Sequence, residues 1–210
     1  MRYTGAVCRL CRREGVKLFL KGDKCFTKCV LEKRKNPPGM HVKTLFKGRK
    51  TSEYNKRLRE KQKLRRMIGV TEKPFRRYFA LAAKKPGLTG ENLLRLLETR
   101  LDNVSQRLGF AISKVAARQM VLHGHILVNG KSVNVPSYPT QPGDSVSLKE
   151  GSRTNPLYMR WWEQSHKSSV FPSWLESNVQ NWSGHVKTWP ARDEMSFPVN
   201  EQLIVELYSK

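Results

Sequence analysis

Four thiols offer the clearest chemistry in this sequence. Cys8, Cys11, Cys25 and Cys29 follow a C-x2-C, thirteen-residue, C-x3-C pattern. Each pair can present two sulfurs from one tight turn, and the intervening loop is long enough to fold back. Four thiolates are the ligand set of a closed tetrahedral Zn2+ site, and the same set can hold an iron–sulfur cluster. A redox C-x-x-C pair, two disulfides and four unlinked thiols are the other readings. With Zn2+ the centre would carry a net double negative charge. Arg9, Arg12, Arg13, Lys24 and Lys28 would balance it and lower the thiol pKa values. A short segment with few large apolar side chains builds little core, so a metal would supply most of its folding free energy. The spacing therefore predicts Cys8, Cys11, Cys25 and Cys29 as metal ligands, with Zn2+ first and a four-cysteine iron–sulfur cluster as the alternative.

Other reactive groupings fail their spacing tests. His41, His123, His125, His166 and His185 form no HExxH or comparable hydrolase pattern. Neither a G-x-S-x-G elbow nor a P-loop occurs. No nucleophile, base and orienter can be assembled, and the chain reads as a non-enzyme.

Charge points to a partner. The 210 residues hold 40 Lys and Arg against 17 Asp and Glu, a formal +23. Such an excess repels itself unless a polyanion lies alongside. Residues 1–77 carry 25 of the basic residues and 6 of the acidic ones, so the first third is the polyanion-facing part. No apolar run approaches the roughly 20 residues of a spanning helix. The N-terminus lacks the apolar core of a secretory signal, which suggests a reducing cytosol where structural disulfides are rare.

The elements that must carry these groups are legible from periodicity. "NPPGMH" at 36–41 breaks the chain after the cysteines. Residues 51–70 read as a helix capped by Thr51 or Ser52, with Tyr54, Leu58, Leu64 and Ile68 in a sector of about 120°. Arg57, Lys61 and Arg65 repeat along the edge of that stripe. Only Glu53 and Glu60 offer acidic partners within the helix, so the cations are expected to meet phosphates. Residues 71–85 and 89–110 read as two further helices, the latter with leucines at 3–4 spacing. Ser113 should cap a helix that Gly124 ends. Asn129-Gly130 marks a hairpin, and Ser145–Leu148 a strand. Residues 155–167 suit a helix, 171–190 a Trp-rich hairpin, and Asn200 the cap of a last helix.

The stretches "RYTGAVCRLCRREGVKLFLKGDKC", "PPGMH", "RLREKQKLRRMIGV", "TRLDNVSQRLGF", "ARQMVLHGHILVNGKSVNVPSY" and "NEQLIVELYSK" resemble, in order and end to end, the bacterial-type S4 family of small-subunit ribosomal proteins. That likeness implies an α+β fold: a four-cysteine metal-binding N-terminal segment (1–45), a helical domain (46–96), an inserted S4-like α/β RNA-binding module (97–154) and a return to the helical domain (155–210). It implies a cytoplasmic, ribosome-bound protein that nucleates assembly on small-subunit ribosomal RNA. Its neighbours would be mRNA where it enters the subunit and ribosomal proteins of the S5 and S3 families, with a bearing on decoding accuracy. A stand-alone RNA-binding stress factor or RNA chaperone is the alternative. The family's cysteine-bearing members usually have four residues between the last two sulfurs, whereas Cys25 and Cys29 have three.

The expected RNA contacts follow from both readings. In the basic first third they are Arg2, Tyr3, Arg9, Arg12, Arg13, His41, Lys43, Lys47, Arg49, Lys50, Tyr54, Arg57, Lys61, Arg65 and Arg66. Tyr3, Tyr54 or His41 could stack on an unpaired base. In the later module they are Arg107, Ser113, Lys114, Arg118, His123, Asn129 and Lys131. Asp193, Glu194, Glu201 and Glu206 near the C-terminus suit a protein neighbour better than RNA.

Overall fold

A computed structural model of the chain describes residues 3–39, 52–168, 171–195 and 197–209. The chain divides into two units, Met1–Leu93 with Phe197–Lys210, and Leu94–Ser196.

The first unit begins with three short helices, α1 (Cys8–Glu14), α2 (Lys24–Thr27) and α3 (Val30–Lys33). Gly15 ends α1 in the left-handed region at φ 71°, where its N–H reaches the Cys11 carbonyl. The long helix α4 (Glu53–Ile68) starts as predicted at Ser52, whose side chain accepts the Asn55 N–H at 3.3 Å. Leu64 and Ile68 are buried, but Tyr54 is exposed. Helix α5 (Glu72–Ala83) follows, then α6 (Thr89–Glu98), whose residues from Leu94 onward belong to the second unit. The last helix, α11 (Glu201–Tyr208), returns to pack on α4. Asn200 caps it by accepting the Gln202 and Leu203 N–H groups. Tyr208 lies against Phe75 and Phe79 of α5, with ring centroids 6.1 and 4.7 Å apart.

The second unit holds α7 (Leu101–Arg107), α8 (Lys114–Leu122), α9 (Glu150–Arg153) and α10 (Pro156–Ser168). Its antiparallel sheet comprises β1 (Ile126–Val128), β2 (Lys131–Ser132), β3 (Ser145–Leu148), β4 (Leu175–Asn178) and β5 (Ser183–Val186), in the order β2-β1-β3-β5-β4. Asn129 at φ 50° and Gly130 at φ 78° make the tight turn between β1 and β2. One core joins these helices to the sheet: Leu101, Val104 and Leu108 of α7, Ile126 and Val128 of β1, Val146 and Leu148 of β3, and Trp162 and Trp174. The observed mixture of helices and one small antiparallel sheet is α+β.

Two expectations are corrected. Residues 89–110 are not one helix. Arg100 is extended at ψ 139° and bridges Pro139, which separates α6 from α7. Residues 155–196 do not return to the helical unit. β5 pairs with β3 (Val146 opposite Gly184), so the Trp-rich hairpin extends the module's sheet. The return begins only at Phe197.

Candidate nucleic-acid interface

Helix α4 presents four of the predicted cations of the first unit, Arg57, Lys61, Arg65 and Arg66, and the structure supplies them with carboxylates from outside the helix. The Arg57 Nε donates to Glu206 at 2.7 Å. Lys61, only 6% exposed, pairs with Glu72 at 2.8 Å and lies 6.0 Å from the Tyr208 ring centroid. Arg65 is 3.8 Å from Glu72. Arg59 and Arg66 both reach Glu14, whose side chain is 1% exposed. The premise that these cations lack acidic partners is therefore overturned: the partners come from α1, α5 and α11. Lys61 in particular, at the edge of the apolar stripe, is an interior lysine.

Two hydrogen bonds tie Glu72 into this cluster, with Arg65 and Arg76 within 3.8 Å. Burial alone would push its carboxyl up, but hydrogen bonds from Lys61 and Tyr208 and the nearby charges bring it below its ordinary value. The Tyr208 hydroxyl donates to it at 2.7 Å, and burial with that carboxylate pushes the phenol well up.

In the N-terminal segment Tyr3, Arg9 and Arg13 are exposed, and Arg12 donates to the Asn36 carbonyl at 2.8 Å. The predicted contacts at Arg2, His41, Lys43, Lys47, Arg49 and Lys50 lie outside the described residues. Tyr54 is 63% exposed.

The cysteines draw together. Cys11, Cys25 and Cys29 are buried and Cys8 is partly exposed. Burial pushes the Cys11 thiol up, a backbone hydrogen bond from Leu18 opposes it, and the charges of Cys25, Cys8 and Cys29 add to the rise. That is the reverse of the lowering expected from the neighbouring arginines. The Lys21 N–H donates to the Cys25 Sγ at 3.3 Å. The donor chemistry fits a thiophilic metal, but among the described residues no three His, Cys, Asp or Glu side chains are arranged to hold one.

In the second unit Arg107, Lys114 and Arg118 lie near two buried carboxylates, Glu98 and Asp102. The Arg107 Nε donates to Glu98 at 2.8 Å, and the Glu98 side chain is fully buried. Asp102 receives a two-pronged bond from Arg100, at 3.0 and 2.6 Å, and a third from Arg118 at 3.2 Å. A guanidinium has five donors, so an arginine held at one nitrogen keeps others for a phosphate. Ser113 caps α8 by accepting the Ala116 N–H at 3.3 Å. Lys114 begins that helix and is partly accessible, yet desolvation of its ammonium lowers the pKa to about 8. Glu98 opposes that shift. His123 is exposed beside Gln119 at the helix end, and Lys131 is exposed on the edge strand β2.

Asn129 is exposed and also braces the fold. Its side chain donates to Asp144 at 2.8 Å and accepts the Ser145 N–H at 2.9 Å, so it pins the hairpin turn to the start of β3. The groups missed from the sequence are Glu14, Glu98 and Asp102. Their signal was an acidic residue isolated among cations.

Comparison with known proteins accords with this layout. The family described as "Ribosomal protein S4/S9 N-terminal domain" matches residues 2–98, and the "S4 domain" matches residues 99–146. Small ribosomal subunit protein uS4 of Natranaerobius thermophilus is 55% identical over 210 residues, covering 100% of this chain and 99% of its own length. The proteins of the same name from Koribacter versatilis and Pelotomaculum thermopropionicum are 55% and 52% identical, over 100% of this chain and 99% of their own lengths. With two family matches in succession and relatives alike from end to end, this chain belongs to the uS4 family of small ribosomal subunit proteins.

Proposed function

We propose that the protein is a structural component of the small ribosomal subunit that binds the subunit's RNA and takes part in its assembly. The observation that carries this reading is the full-length likeness to uS4 proteins. The placement of Arg107, Lys114, Arg118 and Lys131 on one unit supports an RNA face there. The family is one of ribosomal proteins rather than enzymes. Phosphate contacts supply the affinity and the RNA's shape supplies the register. The finer reading is early binding at a junction of RNA helices, beside mRNA where it enters and beside proteins of the S5 and S3 families, in the cytoplasm. Among the described residues no helix is long and apolar enough to cross a membrane.

Cys8, Cys11, Cys25 and Cys29 would hold Zn2+ in a closed site, which supplies folding energy and no reaction chemistry. The burial of three of the four thiols supports that assignment.

The test is chemical footprinting of the purified protein on small-subunit ribosomal RNA across a salt series, with elemental analysis of the same sample. Affinity should fall steeply with log salt, and one zinc should accompany each chain. A flat salt response overturns the phosphate-contact reading, and iron with sulfide in place of zinc overturns the zinc assignment. Lys114→Gln and Arg118→Gln should each weaken RNA binding while leaving the circular dichroism spectrum unchanged.

A further inference from the structure

We propose that Phe19 and Phe26 form a stacking platform for one unpaired nucleobase of RNA. The proposal deepens the RNA-binding reading and rests on it. Phe26 is 70% exposed and Phe19 46% exposed, in a segment whose Leu18 is 3% exposed. The chain therefore buries Leu18 and Cys25 of "KLFLKGDKCF" and leaves its two aromatic rings exposed. The ring centroids are 5.0 Å apart and the planes inclined by 31°. Each ring covers part of the other, while most of Phe26 stays open.

Phe19 also holds an uncommon backbone conformation. Its φ of 50° lies in the left-handed region, which a bulky side chain seldom enters without compensation. Such outliers persist where the surrounding structure imposes them, and they concentrate at binding sites.

The surrounding charge decides the partner. Residues 17–28 contain Lys17, Lys21, Lys24 and Lys28 against Asp23, and Glu32 pairs with Lys17 at 2.5 Å, which leaves the other three lysines in excess. Protein interfaces are depleted in lysine around their aromatic anchors. Sites for single-stranded nucleic acid combine exposed aromatic rings, on which bases stack, with cations that track the backbone. An aromatic pair beside Lys21, Lys24 and Lys28 in the sequence fits an unstacked base flanked by its phosphates.

The experiment measures affinity of the full-length protein for small-subunit ribosomal RNA, with chemical probing of unpaired nucleotides. Phe26→Ala should weaken binding roughly 5- to 150-fold and expose one nucleotide that the wild type protects. The slope of log affinity against log salt should not change, because no phosphate contact is lost. Phe26→Trp should bind at least as well as wild type. Phe26→Leu, apolar but without a ring face, should behave like Phe26→Ala. Circular dichroism of each variant establishes that the fold is kept. Wild-type-like affinity and probing in Phe26→Ala overturns the platform and leaves the RNA-binding reading standing. Absence of salt-dependent RNA binding by the wild type overturns that parent reading instead. Unchanged RNA affinity with lost incorporation into subunits would assign the rings to a protein neighbour, and that also overturns the proposal.

Discussion

Glu14 stands in a segment rich in cations, yet its side chain is almost wholly enclosed between Arg59 and Arg66. Removing its charge leaves two guanidiniums facing each other, and burial already pushes Arg66 down. Breaking a fully buried pair costs about 3–5 kcal/mol. These arginines keep 26% and 18% exposure, so Glu14→Gln should cost about 2 kcal/mol in urea unfolding. Lys114 makes the opposite case. Its pKa falls from 10.5 unfolded to about 8 folded, so the unfolded chain binds more protons between those values. Its contribution is unfavourable below pH 8 and fades as the pH rises toward 10.5. Unfolding free energy should therefore rise over that interval in wild type, and Lys114→Met should lack this component. Both residues also mark where sequence reading ran out. Helix periodicity finds partners three or four residues away, and it does not reveal that Glu14, Glu72 and Glu206 converge on α4 from elsewhere in the chain.

Elements were more legible than ion pairs, because their signals are local. Ser52, Ser113 and Asn200 cap the helices they were expected to cap, and Asn129-Gly130 turns where the pair predicts. The break between α6 and α7 was hidden, because both halves share leucine periodicity and no Gly or Pro separates them. Only the bridge from Arg100 to Pro139 reveals it. The docking of β5 on β3 was hidden for a related reason: strand pairing is a long-range event, and residues 171–190 carry no mark of their neighbour. Gly184 now shows what that pairing demands. A Cβ there would lie 2.9 Å from the Glu176 carbonyl oxygen and would also clash with Leu108. Gly184→Ala should destabilise the second unit by about 1–3 kcal/mol, read as a lower urea midpoint with an unchanged slope.

At the scale of the molecule, charge asymmetry pointed to a polyanion and motif order pointed to the family. The division at Phe197 was not visible, since nothing in composition changes there. It gives the first unit two segments, the second of which brings Asn200 to Glu60, Glu206 to Arg57 and Tyr208 to Glu72. A chain ending at Met195 should lose hydrogen-exchange protection across 53–83 and keep it across 101–148. Protein synthesis proceeds from the N-terminus, which gives this arrangement a temporal meaning. Met1–Leu93 is completed only by α11, which is translated after Leu94–Ser196 already has all of its own residues. In the growing chain the later-made unit is thus the first able to fold. The Arg57 side chain waits for Glu201–Tyr208 to be made before Glu206 can reach it.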